Sequence, residues 1–273
     1  MTLSRPAVRD LLASRGLAPR RNLGQNFVAD PNTVRRIAHL ARIGPGDRVV
    51  EIGAGLGSLT LALAETGAEI TAIEVDHGLV EVLTDVVGEC DRVRIVEADA
   101  TKLDWAQLLG GRDGWILVAN LPYNVATPLV ADVLDGVPEV SRMLVMVQRE
   151  VAERLAAQPR TSAYGAVSVK VAYWAEARVV GDVPASVFLP RPNVDSALVA
   201  ITRRPPPDVA PEPLFALVRT AFHQRRKMLR RSLREVVGPE QFAEAGVDPT
   251  TRPEELALDD WCRLTVATSG SHP

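Results

Sequence analysis

A chain of 273 residues is longer than one average domain and has room for one large and one small unit. With 47 % hydrophobic and 24 % charged residues it can build a core and carries no signature of disorder. Its net charge of −3 excludes a global attraction to polyanions, so any nucleic-acid surface must be a local concentration of basic groups, exposed charges being screened over roughly 8–10 Å.

The first elements are a helix over Pro6–Arg15, with Val8, Leu11 and Leu12 on one face, and a loop through RRNLGQNFVAD. Asp30-Pro31 then supplies an N-cap and first-turn proline for a helix to Arg42. Strands are predicted at Arg48–Ile52, Glu69–Val75, Val93–Val96, Trp115–Ala119 and Met143–Val147. Helical patterns lie between and after them at Leu59–Leu63, Gly78–Val87, Thr127–Leu134 and Arg149–Ala157. This alternation predicts an α/β fold with a parallel sheet covered on both faces. Val167–Val180 and Ala197–Thr202 read as the last two strands. A proline-dense connector over 204–213 follows, then helices at Leu214–Leu233, Pro239–Ala245 and Glu254–Val266. The boundary falls near 205, separating domains 1–204 and 205–273.

Two distant cysteines, Cys90 and Cys262, provide no disulfide framework and fit a reducing cytosol. The four histidines show no ligand spacing, so no metal is expected. The opening MTLSRPAVRD lacks the apolar stretch of a secretion signal, and no apolar run approaches the ~20 residues of a membrane span. The expectation is a soluble cytoplasmic protein without a membrane partner, monomeric by default.

Gly53-Ala54-Gly55-Leu56-Gly57 follows one strand and precedes a helix, where glycine permits close backbone approach to a ligand. The run departs from the dinucleotide fingerprint G-x-G-x-x-G. Glu74 ends the next strand about twenty positions after the loop, placed to accept ribose hydroxyls. Asp99 ends the third strand, placed to accept from an adenine amino group. These strand ends point to an adenosine-containing cofactor, without separating NAD from S-adenosylmethionine.

The fourth strand ends in Asn120-Leu121-Pro122-Tyr123. The exocyclic amine of adenine is a poor nucleophile because its lone pair is delocalised into the ring. Two acceptors aimed at its hydrogens, the Asn120 side-chain oxygen and the Leu121 carbonyl, favour the pyramidal form that attacks a sulfonium methyl. Pro122 fixes the turn, and Tyr123 can stack on the base. No strong base is needed, since the nitrogen turns acidic as it gains the methyl, and catalysis is alignment plus electrostatic complementarity. Further along, Pro190 and Pro192 stiffen a segment that can present Phe188 at a pocket rim. The stretch from His223 to Arg234 is basic without one acid, which on a slightly negative chain points to phosphate contacts through Arg225, Arg226, Lys227 and Arg230. Arg20 and Arg21 extend that track.

The segments LGQNF (23–27), EIGAGLGSLT (51–60), AIEVD (72–76), EADAT (97–101), NLPYN (120–124), FLPRPNVDS (188–196) and FHQRRKMLRRSL (222–233) together resemble the ribosomal RNA adenine dimethyltransferase family, in order and over nearly the whole chain. Within it the resemblance is to the small-subunit enzymes, which convert two adjacent adenosines of a 3′-terminal 16S hairpin to N6,N6-dimethyladenosine within an immature 30S particle. It implies a Rossmann-like class I methyltransferase fold, with a seven-stranded, mostly parallel sheet and a small all-α C-terminal domain that binds RNA. It also implies S-adenosylmethionine held by Asn26, Val28, Gly53, Glu74, Asp99 and Asn120, with Gly55 and Ala100 completing the set, and a target base sandwiched by Tyr123 and Phe188. Ala54 stands where proline is frequent and Val28 where leucine is usual; a backbone contact tolerates both. Leucine rather than isoleucine after Asn120, and a long basic helix, favour this branch over the large-subunit enzymes that confer macrolide resistance. An intact glycine loop and NLPY argue against a non-catalytic assembly factor.

Overall fold

The protein is described by a computed structural model over residues 2–20 and 23–270. Its amphipathic start forms α1 (Arg5–Ser14), followed by a two-residue strand β1 (Phe27–Val28) inside the segment read as loop. Helix α2 (Pro31–Leu40) begins as the Asp-Pro pair predicts: the Asp30 carboxylate accepts the Thr33 N–H at 2.9 Å. Strands and helices then alternate as β2 (Arg48–Ile52), α3 (Ser58–Ala64), β3 (Glu69–Glu74), α4 (His77–Val87), β4 (Val93–Glu97), α5 (Trp105–Leu109), β5 (Trp115–Asn120), α6 (Ala126–Gly136) and β6 (Val140–Gln148). Next come α7 (Arg149–Leu155), α8 (Ala166–Trp174), β7 (Ala175–Val183), β8 (Phe188–Leu189) and β9 (Ser196–Arg203). The chain closes with α9 (Pro211–His223), α10 (Leu229–Ser232), α11 (Pro239–Ala245) and α12 (Leu258–Ser269).

The described residues form a seven-stranded sheet in the order β4-β3-β2-β5-β6-β9-β7. The first five strands are parallel and β9 runs antiparallel to β6, which is the Rossmann-like, mostly parallel arrangement expected. The central strands are buried and largely apolar, as expected of a sheet covered on both faces: Val49 and Val50 of β2 and Val118 of β5 are all fully buried, with Glu51 the one buried acid of β2. The chain leaves β2 toward β3 on one side and reaches β5 on the other. That reversal is a topological switch point, where loops diverge and open a crevice at the strands' carboxyl ends. Beside the sheet, β1 pairs antiparallel with β8, Phe27 opposite Leu189 and Val28 opposite Phe188.

The chain divides into two compact units, Met1–Ala152 with Arg178–Thr202, and Glu153–Ala177 with Arg203–Pro273. The boundary expected near 205 therefore misses one segment, 153–177, which belongs with the C-terminal helices. Tyr164, Val169 and Tyr173 from that segment pack into one core with Leu214, Leu229, Phe242 and the fully buried Trp261. The Tyr164 hydroxyl donates to the Leu256 carbonyl at 2.9 Å, and that of Tyr173 to the Val209 carbonyl at 2.6 Å. The predicted strand Val167–Val180 is accordingly half helix: α8 runs to Trp174 before β7 begins. Its alternating valines mimic a strand, but Ser168 caps the helix by accepting the Gly165 N–H at 3.0 Å, and Val169 and Tyr173, four apart, share the buried face.

The helix predicted over Leu214–Leu233 is also broken. After His223 the backbone turns, and the Leu229 and Arg230 amides donate to the Thr251 and Pro249 carbonyls instead of to the preceding turn. Leu229 and Leu233 stay buried, as their spacing predicts, but at the start and the C-cap of the separate short α10. Among the described residues no helix is long and apolar enough to cross a membrane, and no group of three acids, histidines or cysteines is placed to hold a metal.

Candidate active site

At the switch point lies a cavity of about 270 Å³. Its walls come from residues 23–28, the glycine loop after β2, the ends of β3 and β4, and the turn after β5. The sequence-predicted residues Asn26, Val28, Gly53, Gly55, Glu74, Asp99, Ala100, Asn120, Leu121, Pro122 and Tyr123 all line it.

The glycine loop can approach the cavity closely because Gly55 carries no side chain, and two features disfavour one there. Gly55 has φ +58°, and a Cβ there would stand 3.2 Å from the Phe27 ring. Glu74, buried at the end of β3, accepts the Gly55 N–H at 2.8 Å on Oε2 and the Val75 and Asp76 N–H groups at 2.9 and 3.0 Å on Oε1. A carboxylate offers about four acceptor positions, so Glu74 retains room for roughly one more donor rather than for two. Burial raises its pKa, against the three backbone hydrogen bonds that favour the ionised form. Asp99 is held differently. The Thr101 hydroxyl and N–H donate to Oδ1 at 2.7 and 3.0 Å and keep its pKa below the ordinary value, so it is an ionised acceptor.

The segment over the opening is pinned at two points. Gln25 Nε2 donates to Asp76 Oδ2 at 2.9 Å, and the same carboxylate caps α4 through the Gly78 N–H at 3.2 Å. Asn120 Nδ2 donates to the Asn26 carbonyl at 3.1 Å. That bond commits the amide nitrogen and leaves Asn120 Oδ1 as the group's free-standing acceptor. The two loops touch closely: a Cβ on Gly24, at φ +64°, would meet Pro122 Cβ at 3.0 Å. The turn itself is fixed by the Leu121 N–H donating to Met146 at 3.1 Å and the Ala126 N–H donating to Pro122 at 3.1 Å. Tyr123 is half-buried, its hydroxyl 2.9 Å from Ser196 Oγ. Burial raises the phenol pKa although the Ser196 hydrogen bond opposes the shift, so the ring is neutral at physiological pH.

Among the described lining residues the acids and bases are Glu51, Glu74 and Asp99, with no lysine, arginine or histidine. Such a wall repels a pyrophosphate and suits a ligand carrying positive charge. Sequence reasoning missed Glu51; a lone acid inside the apolar run Val49-Val50-Glu51-Ile52 was the available signal.

Residues 16–268 match the profile of the family described as Ribosomal RNA adenine dimethylase. The chain belongs to this family. It is 48 % identical to the Ribosomal RNA small subunit methyltransferase A of Thermobifida fusca (strain YX), over 94 % of this chain and 93 % of that one. With the protein of the same name from Cutibacterium acnes it shares 46 % identity, over 97 % and 94 % of the two chains. Among solved structures, a dimethyladenosine transferase from Plasmodium falciparum shares the fold with a TM-score of 0.74 at 22 % identity, over 86 % of this chain and 94 % of that one. The 23S rRNA methyltransferase ErmE aligns with a TM-score of 0.66 at 25 % identity, over 89 % and 100 %. The chain is thus a methyltransferase of the adenine-dimethylating family, with a class I fold.

Two expected site residues stand elsewhere. Phe188 does not line the cavity; its side chain is 0 % exposed, in the core with Ala54, Met146 and Leu198. Pairing with Val28 across β1 and β8 turns its ring inward, so in this conformation it is a core residue and not half of a sandwich. Arg225 is likewise engaged. Its Nε donates to Glu254 Oε2 at 2.6 Å and its Nη2 to the Ser162 carbonyl at 2.7 Å, just past the end of α9. Arg226, Lys227 and Arg230 are exposed. Arg20 lies 3.4 Å from Asp76, tied to the loop over the cavity, and Arg21 falls outside the described residues.

Arg225→Ala should therefore act on stability. Losing two charge-assisted bonds at a half-buried position is expected to cost the helical unit about 1–2 kcal/mol, read by chemical denaturation, with cofactor affinity unchanged.

Proposed function

We propose that this chain uses S-adenosylmethionine to dimethylate the N6 amines of two adjacent adenosines in the 3′-terminal hairpin of small-subunit (16S) ribosomal RNA. In this reading it acts in the cytoplasm as a monomer on an immature 30S particle. The observation that carries the reading is the Asn120-Leu121-Pro122-Tyr123 turn, set across one cavity from the glycine loop, with the Asn120 amide oriented by Asn26. The name borne by relatives at 42–48 % identity supports the choice of subunit. The basic stretch is split between α9 and the short α10, so no long basic helix bears on that choice.

The residues fit the cofactor. Glu74 has an acceptor position for a ribose hydroxyl, Asp99 is an ionised acceptor for an adenine amine, and the buried Glu51 Oε2 has no partner among the described residues. When bound, S-adenosylmethionine supplies an electrophilic methyl group on a positively charged sulfur. The chain's own work is to hold the incoming amine. Asn120 Oδ1 and the Leu121 carbonyl accept its two hydrogens and draw the nitrogen lone pair out of conjugation, while Pro122 keeps the two acceptors in fixed relation. Tyr123 supplies a neutral stacking face, tethered by Ser196. The nitrogen loses its proton to water after gaining the methyl group, so the absence of a histidine or lysine among the described lining residues is no obstacle. The C-terminal helical unit would contact RNA phosphates through Arg226, Lys227 and Arg230, with Arg225 paired to Glu254 beside them.

Asn120→Ala should lower methyl transfer to immature small subunits by at least 100-fold, of the order seen for loss of a transition-state hydrogen bond, with the melting temperature little changed. Transfer of labelled methyl groups to large-subunit RNA only would reverse the assignment of substrate. Replacing Arg226, Lys227 and Arg230 by alanine should reduce the slope of log affinity against log salt by about 2–3, at roughly 0.7–0.9 per phosphate contact, and spare cofactor binding. An unchanged slope would place the RNA surface elsewhere.

A further inference from the structure

Glu51 is the fourth residue of β2, 1 % exposed, and it lines the cavity. Its Oε2 has no hydrogen-bond partner among the described residues; the Thr60 hydroxyl, on the helix after the glycine loop, stands close enough to favour the ionised carboxyl but completes no hydrogen bond of normal geometry. Each other acid nearby is provided for: Glu74 takes three backbone N–H groups, Asp76 takes Gln25 and the start of α4, and Asp99 takes Thr101. Glu51 alone has been left with an unanswered oxygen. A carboxylate buried there with one oxygen unpartnered, beside a second acid, is disfavoured relative to its neutral acid.

The geometry points to Glu51 as a neutral acid in the ligand-free protein that surrenders its proton when a cationic ligand enters, so that binding of S-adenosylmethionine releases close to one proton. This rests on the cofactor assignment above and adds a coupling to it. The balance is simple: the Glu51 O–H bond breaks, the proton leaves through water to buffer base, and the negative charge left behind faces the positive charge of the ligand.

The surroundings favour this direction. Burial pushes the Glu51 carboxyl up to about 8, and the charge of Glu74 adds to the shift, against the lowering influence of the Thr60 hydroxyl. The groups facing the cavity are of one kind. Glu74 comes from β3, Asp99 from the end of β4 and the neutral phenol of Tyr123 from the turn after β5, while α3 contributes no ionisable residue. Asp76, just past β3, adds a further negative charge partly answered by Arg20. A cation entering this set lowers the carboxyl's pKa. The free protein therefore carries more protons than the complex, and affinity must rise with pH up to about 8.

Calorimetric titration of the full chain with S-adenosylmethionine at pH 6.5, in phosphate, PIPES and imidazole buffers, tests the coupling. The slope of the observed heat against buffer ionisation enthalpy should show about one proton released by the wild type and close to none by Glu51→Gln. Affinity of the wild type should rise about tenfold per pH unit between 6 and 7.5. Binding with no buffer dependence and a flat affinity would overturn the proposal, as would equal proton release from both proteins. If Glu51→Gln does not fold, the wild-type slope and pH profile decide. Failure of S-adenosylmethionine to bind under any condition would instead overturn the cofactor assignment, and this proposal with it.

Discussion

Parallel strands all deliver their carboxyl ends to one edge of a sheet, and the candidate site depends on that constraint. Here β4, β3, β2 and β5 are neighbours, so Asp99, Glu74, the glycine loop and Asn120 arrive side by side although they span residues 53–120 of the chain. The reversal of chain direction between β2 and β5 parts the loops at that edge and leaves a crevice. No residue has to be carried there by a long excursion. The segment before α2 closes the opening from above, held at Asp76 by Gln25 and at Asn120 through its own backbone carbonyl.

A second constraint is electrostatic. The charged groups lining the cavity, among the described residues, are acids, and acids gathered in a partly dry space disfavour one another's ionisation. The fold offsets this locally, with backbone N–H groups on Glu74 and a threonine on Asp99, and gives Glu51 only the nearby Thr60 hydroxyl, which does not outweigh burial. The lining is therefore acidic, with one buried carboxyl oxygen left unpartnered.

Much of this was legible in the sequence. The Asp30-Pro31 start of α2, the bounds of β2, and the acids at successive strand ends follow from periodicity and turn chemistry, which act over a few residues. What local pattern could not reveal was decided by partners distant in sequence. The valines of α8 read as a strand because nothing nearby says that Tyr173 meets Phe215 and reaches the Val209 carbonyl. Phe188 reads as a rim residue until β1 pairs with β8 and turns it into the core. Arg225 reads as a phosphate ligand until Glu254, 29 residues on, claims it. Glu51 is a different case: the sequence offers only a lone acid inside an apolar run, and it takes the fold to show that one of its oxygens is buried without a partner.

The central claim is that one crevice brings an adenine amine, two protein oxygens and a methyl donor together. Its most direct test is a crystal structure of the protein with S-adenosylhomocysteine and an adenosine-bearing RNA hairpin. The account predicts the purine against Tyr123, its N6 within hydrogen-bond distance of Asn120 Oδ1 and the Leu121 carbonyl, and the donor's sulfur on the glycine-loop side of that nitrogen. A purine lodged away from the turn after β5, with donor and base on separate faces of the sheet, would contradict it.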